Sequence, residues 1–393
     1  MSQKIGTGPI CVVPQNLSID GIKSMAVGYF YQDEEERMWE RSQKLATVDD
    51  VADLAGVSKS TAARVLGGYG SSSMSTRAAV HAAAATLGYR PNASAKTINT
   101  GRSESIGVIS RNIGNPGFGI ALDGIMSVTS GAGVSVIVAG SEFDIDLERS
   151  AVELLLRKRV DALIVSPAHG DVGEHLQAAH SAGVPILLWE RRVKGLEVPV
   201  IESDMAGAGR ILGQHLLNLG HKRVGFVSTF PYGRQYELGD DTGSSVINDR
   251  LQAIFGTFAE AGLPPSTDLI RFASRSAAGI HDAVIDLIEQ EDPPTVLIAS
   301  DGQIGLETLT ALRARGLSIP QDMSLVLFED APWAKLVDPP LTVVSQPTHE
   351  MGRVAAEVAL ASVGAEKPLR RIPPFAAQLV IRDSVGPAAD RAI

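Results

Sequence analysis

Thr47-Val48-Asp49-Asp50-Val51-Ala52-Asp53-Leu54-Ala55-Gly56-Val57-Ser58-Lys59-Ser60-Thr61-Ala62-Ala63-Arg64-Val65-Leu66 is the stretch on which the reading of this chain turns. Thr47 and Asp50 stand three apart, the spacing at which a hydroxyl takes an early helix N–H and a carboxylate favours the positive helix end. Val51, Ala52, Leu54 and Ala55 then supply an apolar face, and Gly56 the positive φ of a sharp stop. Val57 plugs a small core, and Ser58 caps a second helix running through Thr61, Arg64 and Val65. A third helix is expected from near Ser75 through Ala78, Val80, Ala82 to Ala85 and Leu87, ending at Gly88. Two helices joined by Gly56-Val57-Ser58 make a helix-turn-helix, in which the small turn lets the second helix protrude. On these residues alone a plain αα-hairpin is the competing reading.

Downstream, Pro91-Asn92 stops extended chain and caps a short segment from Ala93 to Asn99, which Thr100-Gly101 closes. Ser94, Thr97 and Asn99 favour turns, so this segment should be helical only when something holds it. After Ser105 strands and helices alternate. Ile106-Gly107-Val108-Ile109, Val134 to Val138, Ala162 to Val165 and Ile186 to Trp189 are short aliphatic runs of the buried parallel kind. Helical patterns lie between them around Ile120–Thr129, Leu147–Lys158 and Val172–Ala182. The cycle restarts with Val224-Gly225-Phe226-Val227, then Leu269-Ile270, Val296-Leu297-Ile298 and Leu325-Val326-Leu327. Two βαβ sets predict an α/β core of two doubly wound parallel-sheet lobes behind the helical headpiece, with a site facing the carboxyl ends of the strands.

Upstream, residues 1–45 show no sustained period. Asp33-Glu34-Glu35-Glu36 sits beside Tyr29, Phe30, Tyr31 and Trp39, which reads as a flexible arm or as a start set too early, with Met38 the alternative start.

The bulk properties narrow the classes. At 393 residues the chain exceeds one ordinary core, so two or three domains are expected. The single cysteine, Cys11, excludes an internal disulfide framework and fits a reducing compartment. No apolar run reaches the length of a membrane span, and Lys4 with Ile10 to Val13 lacks the body of a secretory signal, so a cytoplasmic protein is expected. The net charge of −10 argues against a polyanion partner until its distribution is considered. Between Ala46 and Ser103 six bases (Lys59, Arg64, Arg77, Arg90, Lys96, Arg102) face three acids (Asp49, Asp50, Asp53), a net +3 that leaves −13 for the rest. A basic module on an acidic body can meet a polyanion with one end only.

The headpiece pattern continues through Thr76-Arg77 and Leu87-Gly88-Tyr89-Arg90-Pro91-Asn92, and as a whole it resembles the DNA-binding headpiece of the lactose/galactose repressor (LacI/GalR) family. The resemblance extends over everything after the arm. It includes Leu219-Gly220-His221-Lys222-Arg223, Ala299-Ser300-Asp301, Glu329-Asp330-Ala331-Pro332-Trp333 and Pro339-Pro340-Leu341-Thr342-Val343-Val344-Ser345-Gln346-Pro347. It implies a homodimeric transcription regulator that binds a near-palindromic operator and whose periplasmic-binding-protein-like core takes a small effector, a sugar or sugar derivative. The implied layout is an extension over 1–45, a headpiece over 46–91, a hinge helix and linker over 92–103, and a core over 104–393. Lobe 1 would span about 104–203 and 347–374, lobe 2 about 204–346 and 375–393.

Carried over by position, Lys59 and Ser60 look like base readers, with Arg64 reaching a base edge, while Thr47, Ser58, Thr61, Ser73, Thr76 and Asn92 would meet the backbone. Ordinary capping is an equal reading of Thr61 and Thr76. In the implied hinge helix, which holds Ala95, Ile98 stands where the family usually inserts a leucine between base steps; it is a minor-groove wedge or a packing residue. In the core, Asn115 and Phe118, Glu190 and Arg191, Arg250, Ser300 and Asp301, and Glu329 match effector positions, because sugar hydroxyl pairs suit carboxylates and guanidinium forks. Phe118, Trp189 and Trp333 are candidates to cover the sugar's C–H face, with core packing open for each. Glutamates at 190 and 329 and serine at 300 replace the family's usual Asp, Asp and Asn, so the effector should differ from those of the best-known members.

Other signals are weaker. Gly114-x-x-Gly117-x-Gly119 lacks the dinucleotide-binding order and reads as a loop around a pocket. His169, His175 and His180 lack metal spacing and read as surface histidines, and no Ser-His-Asp or Gly-x-Ser-x-Gly arrangement stands out, so neither a cofactor nor a metal is called for. Val385 to Ile393 carries no leucine heptads, so no tetramerising coil is expected. A transport receptor would suit the core but not the headpiece. A sugar-processing enzyme would need a catalytic constellation at the strand ends. An activator, or a regulator sensing a nucleoside or amino acid, stays open within the resemblance.

Overall fold

The computed structural model describes residues 46–90, 102–230, 233–365 and 371–388, which belong to a helical headpiece and a separate, larger α/β core. Helix α1 (Val48–Ala55) opens with a full capping box: Asp50 N–H donates to Thr47 Oγ1 at 3.3 Å and Thr47 N–H to Asp50 Oδ2 at 2.7 Å. Gly56 ends it at φ 65°, and α2 (Lys59–Leu66) and α3 (Met74–Thr86) start from the hydroxyl caps Ser58 and Ser73. Val51, Ala52, Ala62, Val65, Val80, Ala83 and Ala84 form the core of this unit, with Val57 and Tyr89 packed against it. Leu54 departs from its expected place on the apolar face and lies exposed. Three short helices bury only a narrow stripe of α1, and Val51, Ala52 and Ala55 fill it.

In the first lobe, β1 (Ser105–Ser110), β2 (Ser135–Gly140), β3 (Ala162–Val165), β4 (Ile186–Trp189) and β5 (Val200–Ile201) form an all-parallel sheet in the order β2-β1-β3-β4-β5. Helices α4 (Pro116–Thr129), α5 (Ile145–Arg157) and α6 (Glu174–Ser181) make the crossovers. After α7 (Met205–Asn218), the second lobe alternates β6 (Val224–Ser228), α8 (Ser245–Glu260), β7 (Ile270–Phe272), α9 (Ala277–Ile288), β8 (Val296–Ala299), α10 (Gly302–Ala314) and β9 (Ser324–Leu327). Its sheet takes in β10 (Thr342–Ser345) and an antiparallel edge strand β11 (Gln378–Val380), in the order β11-β10-β9-β8-β6-β7. Of the expected strands, 134–138 runs on to Gly140, and at 269–270 a 3-10 turn, Thr267–Leu269, precedes the strand.

The chain passes between the lobes three times. Helix α11 (Thr348–Ser362) leaves β10 and packs back on the first sheet, and Ser203 pairs with Phe375 as β-bridge partners beside the return to β11. Helices α4 and α11 cross at van der Waals distance through two glycines. A Cβ on Gly124 would stand 2.1 Å from the His349 carbonyl oxygen, and one on Gly352 2.1 Å from that of Ala121. Gly352→Ala should therefore destabilise the protein by about 1–3 kcal/mol despite the better helix propensity of alanine. Gly256 of α8 has open space around it, so Gly256→Ala should be neutral or stabilising. Denaturant midpoints of the two variants check the contrast.

Candidate functional site

On the headpiece, Ser58, Lys59 and Ser60 stand exposed at the N-terminal end of α2, and Arg64 is exposed in its last turn. Lys59 Nζ lies 2.7 Å from Asp49 Oδ2, with both side chains more than half exposed, so the pair contributes at most about 1 kcal/mol and is readily exchanged for a phosphate. Arg64 lies back along α2, its Nε donating to Ser60 O at 3.2 Å and its Nη2 reaching Thr61 Oγ1 at 3.4 Å. Thr47, Ser58, Thr61, Ser73 and Thr76 all serve capping networks, Ser58 Oγ and Ser73 Oγ accepting the Thr61 and Thr76 N–H groups at 3.2 and 3.1 Å. Asn92, Ala95 and Ile98 lie outside the described residues, as does the implied hinge helix.

In the core, a cavity opens at the carboxyl ends of the strands of both lobes. It receives Arg111 after β1, Ser166 after β3, Trp189 and Glu190 from the end of β4, Phe230 after β6, Ser300 and Asp301 after β8, and Glu329 after β9. The reason is topological: every parallel strand points its carboxyl end, and the loop that follows, at the same crevice. Nine of the ten sequence-derived effector positions line it. Trp333 does not. It follows β9 by several residues and packs on the second lobe's core among Leu309, Ala334 and neighbouring apolar residues.

Three arginines line the cleft, and a fourth, Arg275, lies beside it. Arg111 is anchored by Ser166 Oγ at 2.8 Å and by Glu190 Oε2 at 2.8 Å. Glu190 reaches it from a left-handed backbone, φ 63°. Arg250, buried in α8, donates from Nη1 to the Ser300 carbonyl at 2.8 Å and lies 4.5 Å from the Phe328 ring centroid. Arg191 is also buried; its Nη1 donates to the Pro167 and Ala168 carbonyls at 3.3 and 2.9 Å, and its guanidinium stacks 4.7 Å from the Phe230 centroid. Arg275 lies over Phe143, whose ring lines the cavity and also faces Arg111. Burial lowers Arg191 well below the usual arginine range and pushes Arg250 and Arg275 down to about 10, at which those two stay cationic near neutrality.

The carboxylates are tied down as well. Glu329 Oε2 accepts from Asn115 Nδ2 at 3.2 Å and from Gly302 N–H at 2.9 Å, while its Oε1 is buried without a partner. Asp301 caps α10 by accepting the Ile304 N–H at 2.9 Å. Burial raises both carboxyls above their ordinary values. Phe118 and Trp189 line the cavity and pack on the first lobe's core, so the packing and lining readings both hold. The platforms beneath the guanidiniums are Phe230, Phe328 and Phe143, which sequence reasoning missed together with Arg111, Arg275 and Ser166. A scan of every strand end for arginine and aromatic residues would have found Arg111 and Phe230.

A support lies behind Arg191. Glu148, fully buried on α5, accepts the Ala168 N–H at 2.5 Å through Oε2 and contacts His175 Nε2 at 2.7 Å through Oε1. His175 is therefore not a surface histidine, and His169 packs its ring against Phe230; only His180 is exposed. The lobes also meet directly. Asn115 reaches Glu329, the Gly170 N–H donates to the Gly243 carbonyl at 2.9 Å, and Lys194 joins Asp171 and Asp241 at 2.8 and 2.6 Å.

Comparison with known proteins fits this architecture. Residues 47–92 match the model of bacterial regulatory proteins of the lacI family, and residues 214–385 that of a periplasmic binding protein-like domain. The HTH-type transcriptional regulator GalS of Salmonella typhimurium is 31% identical over 342 residues, 87% of this chain and 97% of the relative. Among solved structures, a CelR–cellobiose complex superposes with a TM-score of 0.62 at 26% identity, covering 86% of this chain and 99% of its own. The lac repressor dimer bound to operator and an anti-inducer shares the fold with a TM-score of 0.73 at 24% identity, covering 87% and 100%. The chain belongs to the LacI family of bacterial regulatory proteins.

Proposed function

We propose that the chain is a homodimeric, sequence-specific transcriptional repressor whose operator affinity is set by a small effector of the sugar class, held between the two lobes of its core. The observation that carries this reading is the coexistence, in one chain, of a helix-turn-helix with an exposed polar side on α2 and a cleft at converging strand ends. Residues 46–91 would read DNA, 92–103 would link, and the lobes spanning about 104–203 with 347–374 and about 204–346 with 375–393 would sense. Thr47, Ser58, Thr61, Ser73, Thr76 and Asn92 would set register on phosphates, Lys59, Ser60 and Arg64 would read base edges, and Ala95 and Ile98 would belong to the segment that orders on DNA. Effector binding shifts DNA affinity only as far as it prefers one lobe arrangement over the other, and the inter-lobe contacts of Asn115, Gly170 and Lys194 are where that preference acts.

Carbohydrate chemistry is supported by the forked and planar groups of the cleft and by the cellobiose complex of a relative in fold. The cleft is built to bind rather than to transform, because Glu190, Glu329 and Asp301 are already engaged by Arg111, Asn115 with Gly302, and the start of α10. Exposed Ile120 and Met126 on α4 and Leu306 on α10 offer apolar surface suited to a second copy. No helix among the described residues is long and apolar enough to cross a membrane, and a regulator of this kind would work in the cytoplasm.

Selection of duplexes from a random pool should enrich an inverted repeat. Arg64→Ala should then lose about 1–3 kcal/mol of discrimination at one base pair per half-site while non-specific binding stays the same. A pool with no enriched repeat, across salt concentrations, removes the reading.

A further inference from the structure

The two lobes are joined at one edge of their sheets. The crossings follow β5, follow β10 and precede β11, all at that edge in the orders β2-β1-β3-β4-β5 and β11-β10-β9-β8-β6-β7. Strands β2 and β7 hold the opposite edges, so the loops that follow them belong to the side of the cleft away from the crossings. Two hinged bodies part most at the side away from their hinge. On that side the lobes meet through a pair of side chains. The Arg275 guanidinium, three residues after β7, lies 3.1 Å from the ring centroid of Phe143, three residues after β2.

The Phe143 side of this contact is built on a constrained turn. Glu142 and Phe143 both take left-handed backbone, φ 46° and 63°, which bulky side chains rarely adopt and which persists only where the surroundings impose it. Here Ser141 N–H donates to Ser110 O at 2.9 Å, Asp144 N–H closes the turn on Ser141 O at 2.7 Å, and Asp144 Oδ1 caps α5. The ring presented in this way lines the cavity, with Arg111 5.7 Å from its centroid, whereas Arg275 is no part of the cavity wall. Arg275 touches the ring from the other lobe, half-buried and with its Nη1 buried without a partner. A guanidinium on an aromatic face is a contact of moderate strength, and the unpartnered N–H regains water when the pair separates, so this contact can open. We propose that Phe143 and Arg275 form a gate across the open side of the cleft, Phe143 its fixed post and Arg275 its catch, and that the pair determines how large a ligand enters and how fast. The gate rests on the reading of the cleft as an effector site and supplies its entrance.

The test reads access to Trp189, which lines the same cavity, in the full chain carrying Trp39→Phe and Trp333→Phe so that Trp189 is the sole tryptophan. Its fluorescence is quenched with acrylamide and with a hydroxylated piperidine nitroxide, a compound of monosaccharide bulk. In this parent chain acrylamide should reach Trp189 far more readily than the nitroxide. Phe143→Ala and Arg275→Ala should each raise the nitroxide quenching constant by about threefold or more, with Arg275→Lys, which keeps the cation, closer to the parent. Lys194→Ala breaks an inter-lobe contact that follows β4, beside the joined edge, and should change access far less. Melting curves establish that each variant is folded, and Arg275→Ala carries the test should Phe143→Ala fail to fold. The proposal is overturned if the two quenchers reach the parent equally, if the gate variants match the parent, or if Lys194→Ala opens the cavity as much as they do. Quenching needs no effector, so its outcome is separate from the reading beneath it: a cleft that takes up no sugar and leaves operator affinity unmoved sinks the effector reading and leaves the gate standing.

Discussion

Arg250→Ala is expected to abolish the response of operator binding to effector while leaving operator affinity without effector in place. The guanidinium is buried in α8, with Nη1 on the Ser300 carbonyl and its plane over Phe328, so it ties the end of β8 to the helix that walls the cleft. A ligand oxygen accepting from it makes hydrogen bonds to a charged donor, worth about 1.5–3 kcal/mol each, so removing a bidentate pair costs about a hundredfold or more in effector affinity. Lysine does not restore the fork, so Arg250→Lys should recover little. The headpiece keeps its own core of Val51, Ala62, Val65 and Val80, which the substitution does not touch. Anisotropy of labelled operator titrated with effector checks both halves, and an unaltered dose response would take Arg250 out of the site.

That arginine is legible in the sequence because it stands in a stretch resembling the family, and the reasons for success and failure along the chain are physical. Capping residues act locally, so Thr47, Asp50, Gly56 and Ser58 announce the first two headpiece helices from a few neighbours each, whereas the third, expected from near Ser75, starts at Met74 behind the cap Ser73. Buried parallel strands bury both faces, so the runs at 106–109, 162–165 and 296–298 stand out as unbroken aliphatic segments. The edge strands β5 and β11 lack that pressure and carry no such signal. The cleft residues at strand ends follow from topology, which is why nine of ten expected positions converge. Trp333 is the exception because an aromatic a few residues past a strand end suits the core as well as a pocket, and here the second lobe's core takes it. Arg275 and Phe143 meet only through tertiary structure, from opposite lobes, so no local pattern marks either.

Glu148 is the extreme case, and it yields the largest effect expected on stability. In sequence it is one of two acids in the first turn of an amphipathic helix, the usual place for a solvated carboxylate that favours the positive helix end. In the structure it is fully buried and holds two donors at once, the Ala168 N–H and His175 Nε2. Glu148→Ala leaves both without a partner inside the first lobe, next to a His175 Nδ1 that is already unpartnered. Unsatisfied buried groups cost about 1–3 kcal/mol each, so a loss of about 3 kcal/mol or more in unfolding free energy is expected. Glu148→Gln keeps an acceptor for Ala168 and should lose less. The damage should also reach the cleft, since the Pro167 and Ala168 carbonyls hold Arg191, so effector affinity falls even where the variant remains folded. On a His175→Ala background the cost of Glu148→Ala should shrink, a coupling that a double-mutant cycle reads directly. A loss below about 1 kcal/mol, with effector affinity unchanged, would mean that the buried carboxylate neither supports the 167–168 turn nor positions Arg191.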